Sequence, residues 1–237
     1  MIKIIFITIL TFAYSFNLRK AKQNYDSYVM AVQWPNGYCS ANNCGKKADH
    51  IYKNTMTIHG LWPSLKNGKY LDTCTSGVTI EEDDTKLFVD LKQYWPSFSK
   101  PNTAFWEHEY NKHGYCMVEE YEWDGYEEYF EFVLELFLSN YKDLIIKAFP
   151  NHSNGAFVVS YEEMKEKIRK IIPNATFKMN CNKKYIYEFY FYLEKDFNPS
   201  INSVFTNSCN SGISMEQLIS RLTFGYFNEN FSRQPAR

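Results

Sequence analysis

The order of apolar and polar positions along the chain predicts a mixture of strands and helices. Short β-rich stretches that alternate or run aromatic predict strands over 28–34, 55–59, 176–179 and 185–193. A helical period predicts helices over 81–94, 103–112, 126–149, 164–172 and 214–222. Because these elements do not alternate as regular βαβ units, the sequence predicts an α+β domain with a mainly antiparallel sheet.

Turn and capping residues set several of the predicted boundaries. Gly60 is expected to turn the chain just after His59, and Gly114 is expected to end the helix at 103–112. Ser160 and Glu163 have the spacing of a capping box, which predicts the start of the helix that follows them.

The N-terminal segment has the features of a secretory signal. Lys3 is followed by an apolar run over 4–14 that is too short to span a bilayer as a helix. We therefore predict a signal peptide at 1–15 and one mature domain at 16–237, with a buried N-terminal helix as the alternative. The expected destination is the extracellular space or a lysosome-like vesicle, and no membrane span is expected.

Composition narrows the possible partners. The chain has 237 residues and a formal net charge of −1, which argues against a long basic track along nucleic acid. A pocket that grips a single phosphate is compatible with that charge. The many aromatic residues (19 Tyr, 19 Phe and 5 Trp) suit a packed core, and a few could stack on bases. Nothing in the sequence indicates oligomerisation, so a monomer is expected.

Cysteines and sequons also fit an exported protein. Six cysteines imply disulfides, and their spacing alone leaves all fifteen pairings open. The chain contains no C-x-x-C motif, so a zinc ribbon or a thioredoxin-like site is not expected. Three sequons predict surface glycans, at Asn151, Asn174 and Asn230.

A short polar segment carries the main candidate chemistry. On an α-helix, His108, Glu109, Lys112 and His113 would share one broad face, with the parts to bind an anion and move protons near neutral pH. A zinc protease motif needs histidines four residues apart. His108 and His113 are five residues apart, and on a helix their side chains would point about 140° away from each other. We therefore expect neither a metal nor another cofactor.

Two segments together resemble a known family. Ile-His-Gly-Leu-Trp-Pro at 58–63 and Phe-Trp-Glu-His-Glu-Tyr-Asn-Lys-His-Gly-Tyr-Cys at 105–116 resemble the two active-site segments of the ribonuclease T2 family. Gln-Trp-Pro at 33–35 resembles its opening strand, and the likeness extends over about 28–209. With this resemblance, a disulfide pairing by region is favoured: Cys39 with Cys44, Cys74 with Cys116, and Cys181 with Cys209.

The resemblance implies cleavage of single-stranded RNA by transphosphorylation through a 2′,3′-cyclic phosphate. His113 matches the general base and His59 the general acid of that family. Glu109 and Lys112 match groups that stabilise charge on the phosphoryl oxygens, and His108 matches a phosphate-binding histidine. Protonated His108 would bind the phosphate best, so better activity is expected at mildly acidic pH.

Base recognition is implied by the same resemblance. Trp62 and Tyr70 resemble the stacking residues for the base on the 5′ side of the cut. Four further residues resemble those of the family's second base site: Gln33, Pro96, Ser97 and Phe105. DNA is excluded as a substrate because it has no 2′-hydroxyl to attack. The alternative function is that of an exported glycoprotein on the same scaffold with a binding or signalling role.

Overall fold

The computed structural model describes residues 25–42, 44, 55–71, 74, 76–150, 157–182, 185–200, 209 and 222–224. The predicted signal peptide at 1–15, nearly all of the helix predicted at 214–222, and the sequons at Asn151 and Asn230 lie outside the described residues. Those expectations stay predictions.

A mixed sheet forms the centre of the described fold, and all four predicted strands are present in it. Its strands are β1 (Ser27–Gln33), β2 (Thr57–Ser64), β3 (Phe157–Val159), β4 (Phe177–Asn182), β5 (Tyr185–Glu194) and β6 (Leu222–Phe224). They are ordered β2-β1-β5-β6-β3, and β4 also pairs with β5. Every described pairing is antiparallel except that of β5 with β6. The α+β, mainly antiparallel prediction is therefore confirmed.

The described part of the chain also contains α-helices. They are α1 (Pro35–Ala41), α2 (Lys86–Tyr94), α3 (Asn102–Glu109), α4 (Tyr115–Tyr121), α5 (Tyr126–Asn140), α6 (Leu144–Ala148) and α7 (Tyr161–Ile171). A π-helical turn, Tyr110–Gly114, joins α3 to α4. The predicted role of Ser160 at the helix start is confirmed, because its hydroxyl accepts a hydrogen bond from the Glu163 N–H at the N-terminus of α7.

The two faces of the sheet have different surroundings. Alternate residues of β1, such as Met30 and Val32, enter the large core shared with the helices. Val29 and Ala31 point to the opposite face, where they form a small cluster with Trp62 and aromatic residues of β5. The candidate site lies beside this second face, and the pleat of the sheet orients those of its side chains that come from regular strand positions.

The predicted turn at Gly60 is wrong, because β2 continues through Gly60 to Ser64. The absence of a side chain at Gly60 instead lets the side chains of Glu109 and Trp62 lie close to the backbone. A Cβ at Gly60 would collide with Glu109 Oε2 and Trp62 Nε1. Pro63 is tolerated within the strand because β2 lies at the edge of the sheet.

The predicted helix end at Gly114 is also wrong. Gly114 has helical torsion angles, and the chain passes through it from the π-helical turn into α4. The reason is again packing, since a Cβ at Gly114 would lie 2.7 Å from Cε1 of the Tyr129 ring. The helix predicted from residue 81 begins later, at Lys86, because the Asp83 carboxylate accepts the Thr85 N–H in a non-helical turn.

Disulfides link three parts of the structure. The pairs are Cys39–Cys44, Cys74–Cys116 and Cys181–Cys209, which confirms the expected pairing by region. None of the helices in the described part of the chain combines the length and apolar character needed to cross a membrane.

Candidate active site

A β-bulge in β2 presents His59. Ala31 of β1 pairs with Gly60 and the next residue, Val32, pairs with Ile58, so His59 has no partner on β1. An extra residue of this kind bends the strand and redirects side chains. The bulge lets Ile58 and Leu61 both enter the main core, while the His59 ring keeps 27% of its surface exposed beside the second face of the sheet.

The four polar residues of the second segment form two pairs, on either side of the start of a π-helical turn. The Tyr115 N–H bonds to the Tyr110 carbonyl, five residues back, so the turn is wider than that of an α-helix. Glu109 and His113 are buried, at 1% and 5% exposure, whereas His108 and Lys112 are exposed. The expected single face is therefore divided into two inward groups and two surface groups.

Trp62 packs against both His59 and His113. Its indole ring centre is 5.0 Å from that of His59 and 5.3 Å from that of His113. Its Nε1–H donates a 2.8 Å hydrogen bond to Glu109 Oε2. The bulged strand and the π-helical turn therefore bring both imidazoles and one buried carboxylate around a single indole.

Two carboxylates flank the His59 ring. Its Nδ1 is hydrogen-bonded to Glu188 Oε1, and its Nε2 lies 3.6 Å from Glu109 Oε1. Burial lowers the pKa of His59, but the charges of Glu188 and Glu109 outweigh burial and raise its pKa to about 9. The surroundings of His59 therefore favour its protonated form.

The neighbouring groups shift in the directions expected from their surroundings. Burial raises the pKa of the Glu109 carboxyl, although His59 and the Trp62 hydrogen bond act against that rise. Burial lowers the pKa of His108, and the positive charges of Lys100 and Lys112 lower it further. His108 consequently binds a proton less readily than an ordinary histidine.

His113 is oriented by the backbone. Its Nδ1 lies 2.9 Å from the Leu71 carbonyl oxygen. Because a carbonyl can only accept, Nδ1 carries the hydrogen, and in the neutral ring Nε2 carries the lone pair. In a neutral His113 ring, Nε2 is therefore the nitrogen that can accept a proton, whereas the surroundings of His59 favour a protonated ring.

A cavity of about 320 Å³ opens beside His59. Its lining includes the expected second-base residues Gln33, Pro96, Ser97 and Phe105, together with His59, His108 and Glu109. Trp62, Tyr70, Lys112 and His113 do not line it. Tyr70 is 42% exposed and packs on Trp62, which is only 4% exposed, so Tyr70 offers the more open aromatic surface.

Sequence reasoning missed two residues that face His59. Glu188 is buried on β5 and accepts a 3.1 Å hydrogen bond from Asn180 on β4. Lys100 lines the same cavity, with its ammonium 5.4 Å from the centre of the Phe105 ring. A signal for Glu188 exists, since it is an acid with aromatic and aliphatic residues on both sides of it in the strand.

An α+β fold that brings His59 of β2 together with Glu109 of α3 and His113 of the π-helical turn defines a recognisable class. The chain belongs to the ribonuclease T2 family, whose match extends over residues 25–209.

Two curated relatives and one solved structure illustrate the likeness. Ribonuclease DdI of Dictyostelium discoideum is 35% identical over 40% of this chain and 41% of its own length. Ribonuclease S-7 of Nicotiana alata is 33% identical over 65% of this chain and 66% of its own. The crystal structure of RNase NT in complex with 5′-AMP has a TM-score of 0.62 and 23% identity, covering 86% of this chain and 100% of that one. Over the first curated relatives, the matched part of the chain spans about half of their length.

Proposed function

We propose that the protein is an endoribonuclease that cleaves single-stranded RNA by transphosphorylation, with His59 as general acid and His113 as general base. One observation carries the proposal: two imidazoles with different polar partners contact the same indole. His59 is an imidazolium between two carboxylates, and His113 has its Nδ1–H on a backbone carbonyl. An acid and a base held this way can act on opposite sides of one phosphate.

The reaction balances with these two groups. His113 Nε2 takes the proton of the ribose 2′-hydroxyl while the 2′-oxygen forms a bond to phosphorus. The bond from phosphorus to the 5′-oxygen breaks, and His59 gives its proton to that oxygen. The products are a 2′,3′-cyclic phosphate and a free 5′-hydroxyl, and the histidines exchange roles when water opens the cyclic ester. Each positioned acid or base typically contributes ~10²–10⁴ in rate.

The remaining polar residues of the segment suit the phosphoryl oxygens. Glu109 contacts Trp62 and His59, and it would face the phosphoryl group from the buried side of the site. Lys112 and protonated His108 are exposed cations on the same helical segment and would stabilise the developing negative charge. The lowered pKa of His108 means that this contribution is present at acidic pH and is lost as pH rises toward neutrality.

The cavity and the exposed tyrosine suggest where the two bases bind. Tyr70 would stack on the base on the 5′ side of the cut, with buried Trp62 as its support. Gln33 and Phe105 would contact the base on the 3′ side, inside the cavity.

Export and action as a monomer complete the proposal. Asn174 is an exposed sequon in the turn after α7, which is accessible to glycosylation. The three disulfides fit an oxidising compartment, either extracellular or lysosome-like. The alternative function, that of a non-catalytic exported glycoprotein, does not explain why a histidine lies between two carboxylates.

Cleavage of single-stranded RNA in EDTA, from pH 4 to 8, tests the proposal. We expect cleavage, 2′,3′-cyclic phosphate ends, and loss of most activity in His59→Ala and in His113→Ala. His50→Ala, outside both segments, is the matched histidine control and keeps full activity. Cleavage that needs an added metal, or that persists in both variants, would overturn the assignment. A folded protein with no cleavage at any pH would favour the glycoprotein alternative.

A further inference from the structure

One buried carboxylate that faces the site has no part in the reaction just described. Resting on that proposed function, we propose that Glu188 is a positioning residue for His59: it accepts the Nδ1–H and fixes the ring with its Nε2–H directed toward the leaving 5′-oxygen.

The fold holds Glu188 from two sides. It lies in the middle of β5, between Gln33 on β1 and Asn180 on β4. Asn180 Nδ2 donates a 3.1 Å hydrogen bond to Glu188 Oε2, and Oε1 is the atom that bonds to His59. Each carboxylate oxygen thus has its own partner, so the carboxylate plane and the ring it orients are both fixed.

Burial explains why Glu188 and His59 depend on each other. An ionised carboxylate removed from water is costly unless it is paired and hydrogen-bonded. Glu188 is almost fully buried, and the cation beside it is the His59 imidazolium. Loss of the His59 proton would leave the carboxylate without that compensation, so the pair favours the protonated ring.

The other charges around His59 do not cancel this effect. Glu109 from α3 faces Nε2, while Lys100 from the loop before α3 and His108 on α3 are the nearby positive or titratable groups. The Tyr190 hydroxyl also lies beside Glu188, and burial holds its pKa above the usual range, so it stays neutral. Two carboxylates against one ammonium leave His59 in a negative environment.

The geometry also leaves space for the substrate. Nε2 is 3.6 Å from Glu109 Oε1, which is longer than an ordinary hydrogen bond. With Nδ1 held by Glu188, the Nε2–H can be given to a leaving oxygen that enters from the cavity side. Glu188 would therefore assist the protonation of the leaving group and leave the attack by the 2′-oxygen unaffected.

Substrates with different leaving groups separate this role from a structural one. A dinucleotide expels a ribose 5′-alkoxide, which needs a proton, whereas a uridine 3′-aryl phosphate expels a phenolate, which does not. We expect Glu188→Gln to lower kcat by ~10-fold to 100-fold on the dinucleotide and by less than about 3-fold on the aryl ester. Glu194→Gln, a matched change on the same strand away from the cavity, should alter neither rate.

A direct readout accompanies the kinetics. In the NMR titration of the wild-type His59 ring we expect a midpoint near 9, and in Glu188→Gln a fall of at least about one pH unit. In the His59→Ala background, Glu188→Gln should cause no further loss on the dinucleotide. Equal loss on both substrates in a folded variant, or an unchanged titration midpoint, would overturn the positioning role.

The two proposals fail in different ways. If wild-type protein cleaves neither substrate, the ribonuclease proposal is wrong. If wild-type protein cleaves both and Glu188→Gln does so equally well, the ribonuclease proposal stands and the role of Glu188 is rejected.

Discussion

At the scale of single residues, the buried indole of Trp62 connects the parts of the site. Its Nε1–H holds Glu109, and its ring contacts both His59 and His113. The hydrogen bond to a buried carboxylate stabilises the charged form, so it acts against the rise in pKa that burial causes. Removing this N–H should therefore affect chemistry as well as stability.

Trp62→Phe tests that link. We expect a loss of about 1–3 kcal/mol in the free energy of unfolding and about a 10-fold fall in kcat, because Glu109 loses its donor. Urea denaturation and RNA cleavage measure the two effects. Trp106→Phe is the control: Trp106 Nε1 donates to the Trp95 carbonyl in the core, so a similar stability loss with unchanged kcat is expected. A kcat loss of equal size in both variants would contradict a specific role for Trp62.

The pKa of His108 gives a second prediction at this scale. Burial, Lys100 and Lys112 lower it below the ordinary value near 6.5, so the cationic form disappears as pH rises through that lowered value. Lys100→Met removes one repelling charge and should raise the NMR titration midpoint of His108. Lys147→Met, on α6, serves as a control that leaves the midpoint unchanged. A midpoint that falls in Lys100→Met would contradict the assigned cause.

At the scale of secondary-structure elements, two irregularities bring the site together: the bulge in β2 and the π-helical turn after α3. Gly60 lies next to the bulge, where a Cβ would strike Glu109 Oε2 and Trp62 Nε1. We expect Gly60→Ala to cost about 1–3 kcal/mol and to lower kcat by more than about 10-fold, because those two side chains must move.

The matched control for Gly60→Ala is Gly77→Ala. Gly77 is exposed, and a Cβ there would meet nothing within 4 Å. That variant should be neutral or slightly more stable, since alanine restricts the unfolded chain. Thermal unfolding and steady-state cleavage compare the two. A Gly60→Ala variant with wild-type stability and activity would show that the close approach is not needed.

The same two irregularities mark the limit of what the sequence could predict. The alternating and aromatic stretches predicted the strands of the sheet, and the residues Ser160 and Glu163 predicted the start of α7. A glycine such as Gly60 is equally compatible with a turn and with a close contact, and only the packing of the neighbouring element shows which of the two is present. Glu188 belongs to no motif, because its partner His59 is 129 residues away in sequence and meets it only through sheet register.

At the scale of the whole molecule, the sheet separates stability from chemistry. One face of β1 and β5 packs against the helices, and the other carries the candidate site. The segment that holds His113 in place comes from elsewhere: Leu71, whose carbonyl bonds to His113, is near Cys74, which is joined to Cys116 on α4. That disulfide therefore ties the loop to the helical segment that carries His113.

The disulfides should differ in their effect according to the loop they close. Cys74–Cys116 closes a separation of 42 residues and Cys39–Cys44 one of 5. Restriction of the unfolded chain alone gives about 4 kcal/mol for the longer loop and about 2 kcal/mol for the shorter. We expect the double serine variant at 74 and 116 to lose more unfolding free energy than the double serine variant at 39 and 44.

Activity should divide in the same way. Measured at a temperature where both variants are folded, the variant at 74 and 116 should lose kcat, because the Leu71 carbonyl is no longer held against His113. The variant at 39 and 44 should keep more of its kcat, since that disulfide does not link the Leu71 loop to the segment of His113. If both variants lost stability and kcat equally, neither the size of the closed loop nor the link to His113 would account for the result.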